Sequence, residues 1–138
     1  MPQVRRVPIG GAVRADERGW VVDALAAAGA PPGALRDVHL ISLRPGAIRG
    51  NHYHPDATEW MLIWGGRARL LWRDAEPAEG AASTREETVE DGEPVLFEIP
   101  PGVAHAILNI DDRVLYGLCV SDVVRPEARR LVLAASAK

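Results

Sequence analysis

From residue 38 onward, short apolar runs recur along the chain, each broken by glycine, proline or acidic residues. They are Val38–Leu43, Ile48–His54, Glu59–Trp64, Arg67–Trp72, Glu87–Glu90, Pro94–Ile99, His105–Ile110 and Val114–Val120. Runs of this length, rich in Val, Ile, Leu and Trp, read as strands. At this spacing, with no long amphipathic helix between them, they predict an all-β sandwich or barrel rather than βαβ units. The one helical stretch is Val21–Ala28, VVDALAAA, stopped by Gly29 and Pro31-Pro32. The stretch Asp74–Thr84 is small, acidic and polar, and it reads as an exposed loop between two strands.

Gly65-Gly66 separates two runs by two residues, a hairpin signal because both glycines accept positive φ. That hairpin sets Trp64 opposite Arg67, Leu62 opposite Arg69 and Trp60 opposite Leu71. Alternation then places Glu59, Met61, Ile63, Ala68, Leu70 and Trp72 together on the other face. A carboxylate among those apolar neighbours needs a partner, since burying it alone is costly. Trp60, Leu62 and Trp64 make an outer face too apolar for water, which predicts cover by another sheet or a second subunit; a homodimer is the expectation, and the chain's own N-terminal segment is the alternative cover.

Composition sets bounds on these readings. With 138 residues the chain has the size of one domain, taken as residues 1–138. The 13 Gly and 11 Pro agree with many turns. Lys+Arg number 16 against 19 Asp+Glu, a net charge of -3, which gives no basic footprint for nucleic acid. No cationic amphipathic segment or apolar run of membrane length occurs, so no membrane partner is expected. The first residues lack the apolar core of a secretory signal, and the single Cys119 excludes an internal disulfide. A cytoplasmic protein that acts on a small-molecule ligand or substrate is the expectation.

The chemistry lies in four residues. His52 and His54 are two apart, so on a strand they share a face, roughly 6.5–7 Å apart along it. Glu59 follows across the turn-forming Pro55-Asp56-Ala57-Thr58, and His105 opens a later strand after Pro100-Pro101-Gly102. Three imidazoles and one carboxylate suit one divalent transition metal ion, such as Zn, Fe, Mn or Ni, better than Ca or Mg. Four protein ligands leave positions open for a substrate.

The segment from Gly46 through His52, His54 and Glu59 to Gly66 resembles the first cupin motif, G, five residues, HxH, three or four residues, E, six residues, G. The segment Pro100–Asn109 resembles the second, PxG, two residues, H, three residues, N. One departure is Gly92, seven residues before Pro100 instead of five. Together the motifs span residues 46–109. The resemblance implies a double-stranded β-helix, the cupin jelly-roll barrel, with His52, His54, Glu59 and His105 as metal ligands.

Narrower resemblances lie along almost the whole chain. Arg49-Gly50-Asn51-His52-Tyr53-His54 is similar to the RGxHYx signature of the 3,5-epimerases of dTDP-4-keto-6-deoxy sugars. Asp16–Trp20, Ile99–His105 and Leu115–Asp122 are similar to that branch's D-x-RG-aromatic, IPxGxAH and LYxxxxxD segments. In that branch the histidine matching His52 is the base, and a general-acid tyrosine would fall at Val123 or Val124. His54 stands where the metal-free epimerases usually have Gln. Both departures point toward a metal site, as in the metal-binding cupin domain of capsular-polysaccharide reductases and, in part, the sugar 3,4-ketoisomerases.

These resemblances imply a metal-dependent isomerase or epimerase of a nucleotide-linked keto sugar. If His52 holds metal, His39 is the remaining histidine that can act as base, with Tyr53 and Tyr116 as candidate acids. Arg49, and more weakly Arg44, are the phosphate-binding candidates, because guanidinium forks match phosphate oxygens. Asn109 is a candidate for orienting the ligand or capping a turn. The alternatives are an Fe- or Mn-dependent cupin oxygenase and a non-catalytic module that binds metal and a small ligand.

Overall fold

The computed structural model describes residues 3–30, 33–77, 83–90 and 93–137. In chain order the strands are β1 (Arg5–Val7), β2 (Val13–Asp16), β3 (Gly19–Val22), β4 (Asp37–Leu43), β5 (Ile48–Tyr53), β6 (Glu59–Trp64), β7 (Ala68–Asp74), β8 (Arg85–Val89), β9 (Val95–Ile99), β10 (Val103–Asn109), β11 (Leu115–Ser121) and β12 (Arg129–Arg130). A single α-helix, α1 (Ala24–Ala28), follows β3. Two five-stranded antiparallel sheets form, ordered β1-β9-β6-β11-β4 and β12-β5-β10-β7-β8, beside the small hairpin β2-β3. Between β4 and β7 the chain changes sheet at every connection, and it does so again from β8 through β11. This is the jelly-roll barrel expected from the sequence, with the eight expected strands present as β4 to β11.

Leu43, Met61, Ile63, Leu70, Phe97, Ile99, Ile107 and Leu115 fill the space between the sheets. The inward set from β6 and β7 is therefore the one that alternation gave. The pairing is different. β6 pairs with β9 and β11, and β7 pairs with β10 and β8, so Gly65-Gly66 does not close a hairpin. It carries the chain from one sheet to the other. Gly65 has φ of 101°, and a Cβ there would stand 3.2 Å from the Val114 carbonyl oxygen. Gly65 is required by its positive φ and its close approach to a neighbouring loop, a need that a local turn rule does not contain.

The outer face of β6 is also covered differently from expectation. Trp60 and Leu62 are buried in a second cluster with Val7, Leu96, Ala27 and Ala28, against which Ile9, Val22, Leu35 and Trp64 pack. The chain's own N-terminal segment supplies this cover, so the argument for a second copy on that face falls away. The expected helix is shorter than Val21–Ala28, because Val21 and Val22 complete the β2-β3 hairpin. Asp23 then caps α1 by accepting from the Ala26 amide at 3.1 Å, and Gly29 ends it in the left-handed region. Pro31-Pro32, Gly92 and the middle of the acidic loop, residues 78–82, lie outside the described residues. Among the described residues no helix is long and apolar enough to cross a membrane.

Candidate metal centre

One row across the second sheet builds half of the site. His105 on β10 pairs with His52 on β5 and with Trp72 on β7. Gly50 (φ 93°) and Asn51 (φ 54°) bend β5 where its register against β10 shifts. A Cβ on Gly50 would stand 2.7 Å from the His105 carbonyl oxygen, so the backbone of the HxH strand lies against that of His105. His54 follows two residues beyond His52, just after the strand ends. Glu59, the first residue of β6, reaches the same place from the opposing sheet.

The three imidazoles and the carboxylate converge. Ring nitrogens of His52, His54 and His105 lie within 4.8 Å of one another. Glu59 Oε2 is 3.5 Å from His54 Nε2, and Glu59 Oε1 is 3.5 Å from His105 Nε2. His105 is 2% exposed, Glu59 6% and His54 7%, while His52 is half-buried at the mouth.

Two tautomers are fixed by the backbone. His54 Nδ1 is 2.9 Å from the Glu127 carbonyl oxygen, and His105 Nδ1 is 3.1 Å from that of Val103. A carbonyl only accepts, so each Nδ1 carries a proton, and each Nε2 is the ring nitrogen that faces Glu59. His54 Nε2 is buried and has no hydrogen-bond partner. Leaving such an atom unsatisfied costs about 1–3 kcal/mol, a cost that a cation on the lone pair removes. The donor set and its backbone supports fit one divalent transition metal ion.

The electrostatics fit that reading. Burial first, then the imidazoles of His105 and His54, depress the His52 pKa to about 4, so it is neutral at pH 7. Burial alone would raise the Glu59 pKa, but contacts with His105 and His54 together outweigh it and hold the carboxyl well below its usual range. Glu59 in turn raises the His54 pKa against the effect of burial.

His39 joins the rim of this group. On β4 it pairs with Cys119, which places both on the inner side, and it stands 3.8 Å from the Asp37 carboxylate. The two tyrosines do not join. Tyr53 falls between two inward histidines and turns outward, lining a surface groove with Asp74, Glu76 and Arg129. Tyr116 is exposed on the outside of the first sheet, stacked on Trp64 at 6.2 Å. Neither can act as acid at this centre, and alternation with His52 and with Cys119 is the physical reason.

Asn109 is also elsewhere. It is 1% exposed, donates to the carbonyls of Leu43 and Arg113, and accepts from the Asp111 amide. Its amide is fully used in shaping the loop at the far end of β10, so it is a turn cap and not a ligand contact. Arg44 and Arg49 share a cleft with Ser42, Ala47 and Ile48, and Arg49 Nε donates to the Ser42 carbonyl at 2.8 Å. Sequence reasoning missed three contributors: the Glu127 carbonyl, Trp72 in the histidine row, and Cys119 behind Glu59. Of these only Trp72 carried a signal, its place on the face of Glu59 by alternation; Cys119 is located by the pairing of β11 with β4.

The family model for polysaccharide biosynthesis C-terminal domains matches residues 14–128. No curated protein matches the chain in sequence. Among solved structures, the chain is similar to the capsular polysaccharide assembling protein CapF of Staphylococcus aureus, with 21% identity and a TM-score of 0.62 over 88% of this chain. It spans only 26% to 34% of the CapF chains that it matches. It is similar to a dTDP sugar isomerase of Desulfovibrio desulfuricans, with 16% identity and a TM-score of 0.72 over 97% of this chain and 83% of that one. It also resembles NovW of Streptomyces spheroides, a 4-keto-6-deoxy sugar epimerase, with 20% identity and a TM-score of 0.63 over 88% of this chain and 71% of that one. At these identities the likeness establishes a common fold, the cupin barrel.

Proposed function

The chain belongs to the family of polysaccharide biosynthesis C-terminal domains, and from that premise we propose that it is a metal-dependent isomerase or epimerase of a nucleotide-linked keto sugar. The observation that carries this reading is the convergence of His54 Nε2 and His105 Nε2 on Glu59, with both Nδ1 atoms held by carbonyls. His52, His54, Glu59 and His105 would hold one divalent transition ion. When bound, such an ion polarises a keto oxygen and makes the neighbouring C–H more acidic.

The chain's own groups do the rest. His39, half-exposed at the rim, is the base that takes the proton from the carbon beside the ketone. Returned to the adjacent carbon on the same face, while the hydroxyl proton passes to the former keto oxygen, that proton completes a ketone shift, and a single base suffices for it. Inversion of the same carbon needs a proton donor on the opposite face, a part left to solvent because both tyrosines point outward. Arg44 and Arg49 lie in one cleft, where they would bind the diphosphate of the nucleotide. Arg49 stands on β5 with His52, and Arg44 lies in the connection just before that strand, which suits a sugar that links diphosphate to ketone.

The outward placement of both tyrosines also favours a second reading, a non-catalytic module that binds metal and a small ligand. One experiment separates the two. Protein purified without an affinity metal column is analysed for metal by plasma mass spectrometry, then incubated in deuterium oxide with a dTDP-4-keto-6-deoxy sugar. We expect about one equivalent of a transition metal, lost in His54→Ala, and deuterium at a carbon beside the ketone, lost in His39→Ala with metal retained. Metal without deuterium uptake across a panel of keto sugars favours the module. A folded protein that takes no metal on reconstitution sinks the proposal.

A further inference from the structure

Beside the three histidines, and sharing Glu59 with them, a second group of ligand atoms is assembled. A ring nitrogen of His39, a carboxylate oxygen of Glu59 and the sulfur of Cys119 all lie within 4.8 Å of one another. They come from three adjacent strands of the first sheet. Cys119 on β11 pairs with His39 on β4 and with Met61 on β6, two residues along from Glu59. Cys119 is buried among the inner core side chains, and no sulfur partner is available for a disulfide.

We propose that His39, Glu59 and Cys119 form a second cation site, selective for thiophilic divalent ions such as zinc and cadmium, that shares Glu59 with the three-histidine centre. Metal–ligand distances of about 2.0–2.3 Å for N, O and S place ligand atoms around one ion roughly 3–4 Å apart. The gap to be closed is therefore small. It can be closed by His39, whose side chain is half-exposed on β4, the last strand of its sheet. The carboxylate can serve both ions. Its Oε1 faces His105 and its Oε2 faces His54, and each oxygen has a further lone pair for the other side.

On binding, the S–H bond of Cys119 breaks, a sulfur–metal bond forms, and the proton leaves to solvent past His39. Thiolate and carboxylate balance the two charges of this ion when it is bound alone; with both sites filled the shared carboxylate is divided between the ions, and the thiolate is the charge that belongs to this site only. Three protein ligands leave a fourth position to water. The thiolate excludes calcium and magnesium, which prefer oxygen, and so distinguishes this site from an ordinary acidic pocket. An ion here engages His39, so on the function proposed above a thiophilic ion in excess would inhibit by removing the base.

The test is titration of the metal-free full chain with cadmium alone, read by calorimetry and by the ultraviolet thiolate-to-cadmium charge-transfer band. Wild type should take two ions per chain, with the band accompanying one of them. Cys119→Ser should take one ion and show no band. His39→Ala, altered at a half-exposed position that should fold normally, should bind the band-forming ion at least 10-fold more weakly. In His54→Ala the band should persist although the other ion is weakened, which separates the two sites. Wild type that takes one ion without a band overturns this site and leaves the three-histidine centre standing. A band unchanged in His39→Ala also overturns it. One ion with a band that survives His54→Ala upholds this site and ends the three-histidine centre instead.

Discussion

At the scale of single residues, the centre depends on how closely two backbones approach. Gly50 has φ of 93° and faces the His105 carbonyl at a distance that admits no Cβ. In Gly50→Ala the added methyl forces β5 away from β10, and the two strands carry His52 and His105 of the candidate centre. We expect a loss of about 2 kcal/mol or more from strain and overpacking, read in denaturant unfolding, and clearly weaker metal retention. Unchanged stability with full metal content would contradict this account of the glycine. The convergence of His52, His54, Glu59 and His105 was legible in the sequence because strand alternation and motif spacing act locally. His52 and His54 need only a period of two. The tyrosines were misread by the same rule left unapplied, since a residue between two inward histidines points out. Asn109 was open between ligand and turn, and only the positions of Leu43, Arg113 and Asp111 decide it.

Whole elements were less legible where long-range contacts overrule local signals. Gly65-Gly66 has the composition of a hairpin turn, yet it leads β7 into the opposite sheet and rests on the loop after β10. That loop is organised by Asp111. Its carboxylate accepts from the Arg67 amide at 2.7 Å, from the Asp112 amide at 2.7 Å and from the Arg113 guanidinium at 3.1 Å. The Arg113 guanidinium first, then the Arg67 amide, hold its pKa well below the usual carboxylate range. In the unfolded chain an aspartate titrates near 4. Below that pH the unfolded state therefore binds the extra proton and the folded state does not. The contribution of Asp111 is fully present above about pH 4 and is lost as pH falls toward its lower folded value. In Asp111→Asn we expect lower stability at neutral pH and a shallower decline on acidification below pH 4, measured by chemical unfolding across that window. Equal acid slopes in variant and wild type would show that Asp111 does not stabilise the crossing. The N-terminal strands escaped sequence reading for a related reason. Arg5–Val7 is only three residues long and gains its structure by pairing with β9, while Val21 and Val22 look helical until β2 is beside them.

Across the whole molecule, the two ends of the chain finish what the barrel begins, and each covers a different layer. The N-terminal segment seals the outer face of β6, where Trp60 also donates its indole N–H to Glu98 at 3.1 Å. The C-terminal segment covers the edge of β5. β12 pairs with β5, and the Asn51 side chain accepts from the Leu133 and Ala134 amides and donates to the Ala134 carbonyl. Through this latch the Glu127 carbonyl is held against His54 Nδ1. The tail is therefore part of the candidate metal centre although it contributes no ligand. A chain ending after Val124 keeps His52, His54, Glu59 and His105 but frees the His54 ring. Loss of a hydrogen bond that orients a ligand costs about 10–100-fold in metal affinity. We expect that loss in zinc competition titrations, together with an intact barrel by circular dichroism. Asn51→Ala in the full chain should show the same effect more weakly, because β12 still pairs while the latch is open. Zinc affinity unchanged in both variants would mean that the barrel alone orients His54, and the tail would then be only a cover for β5.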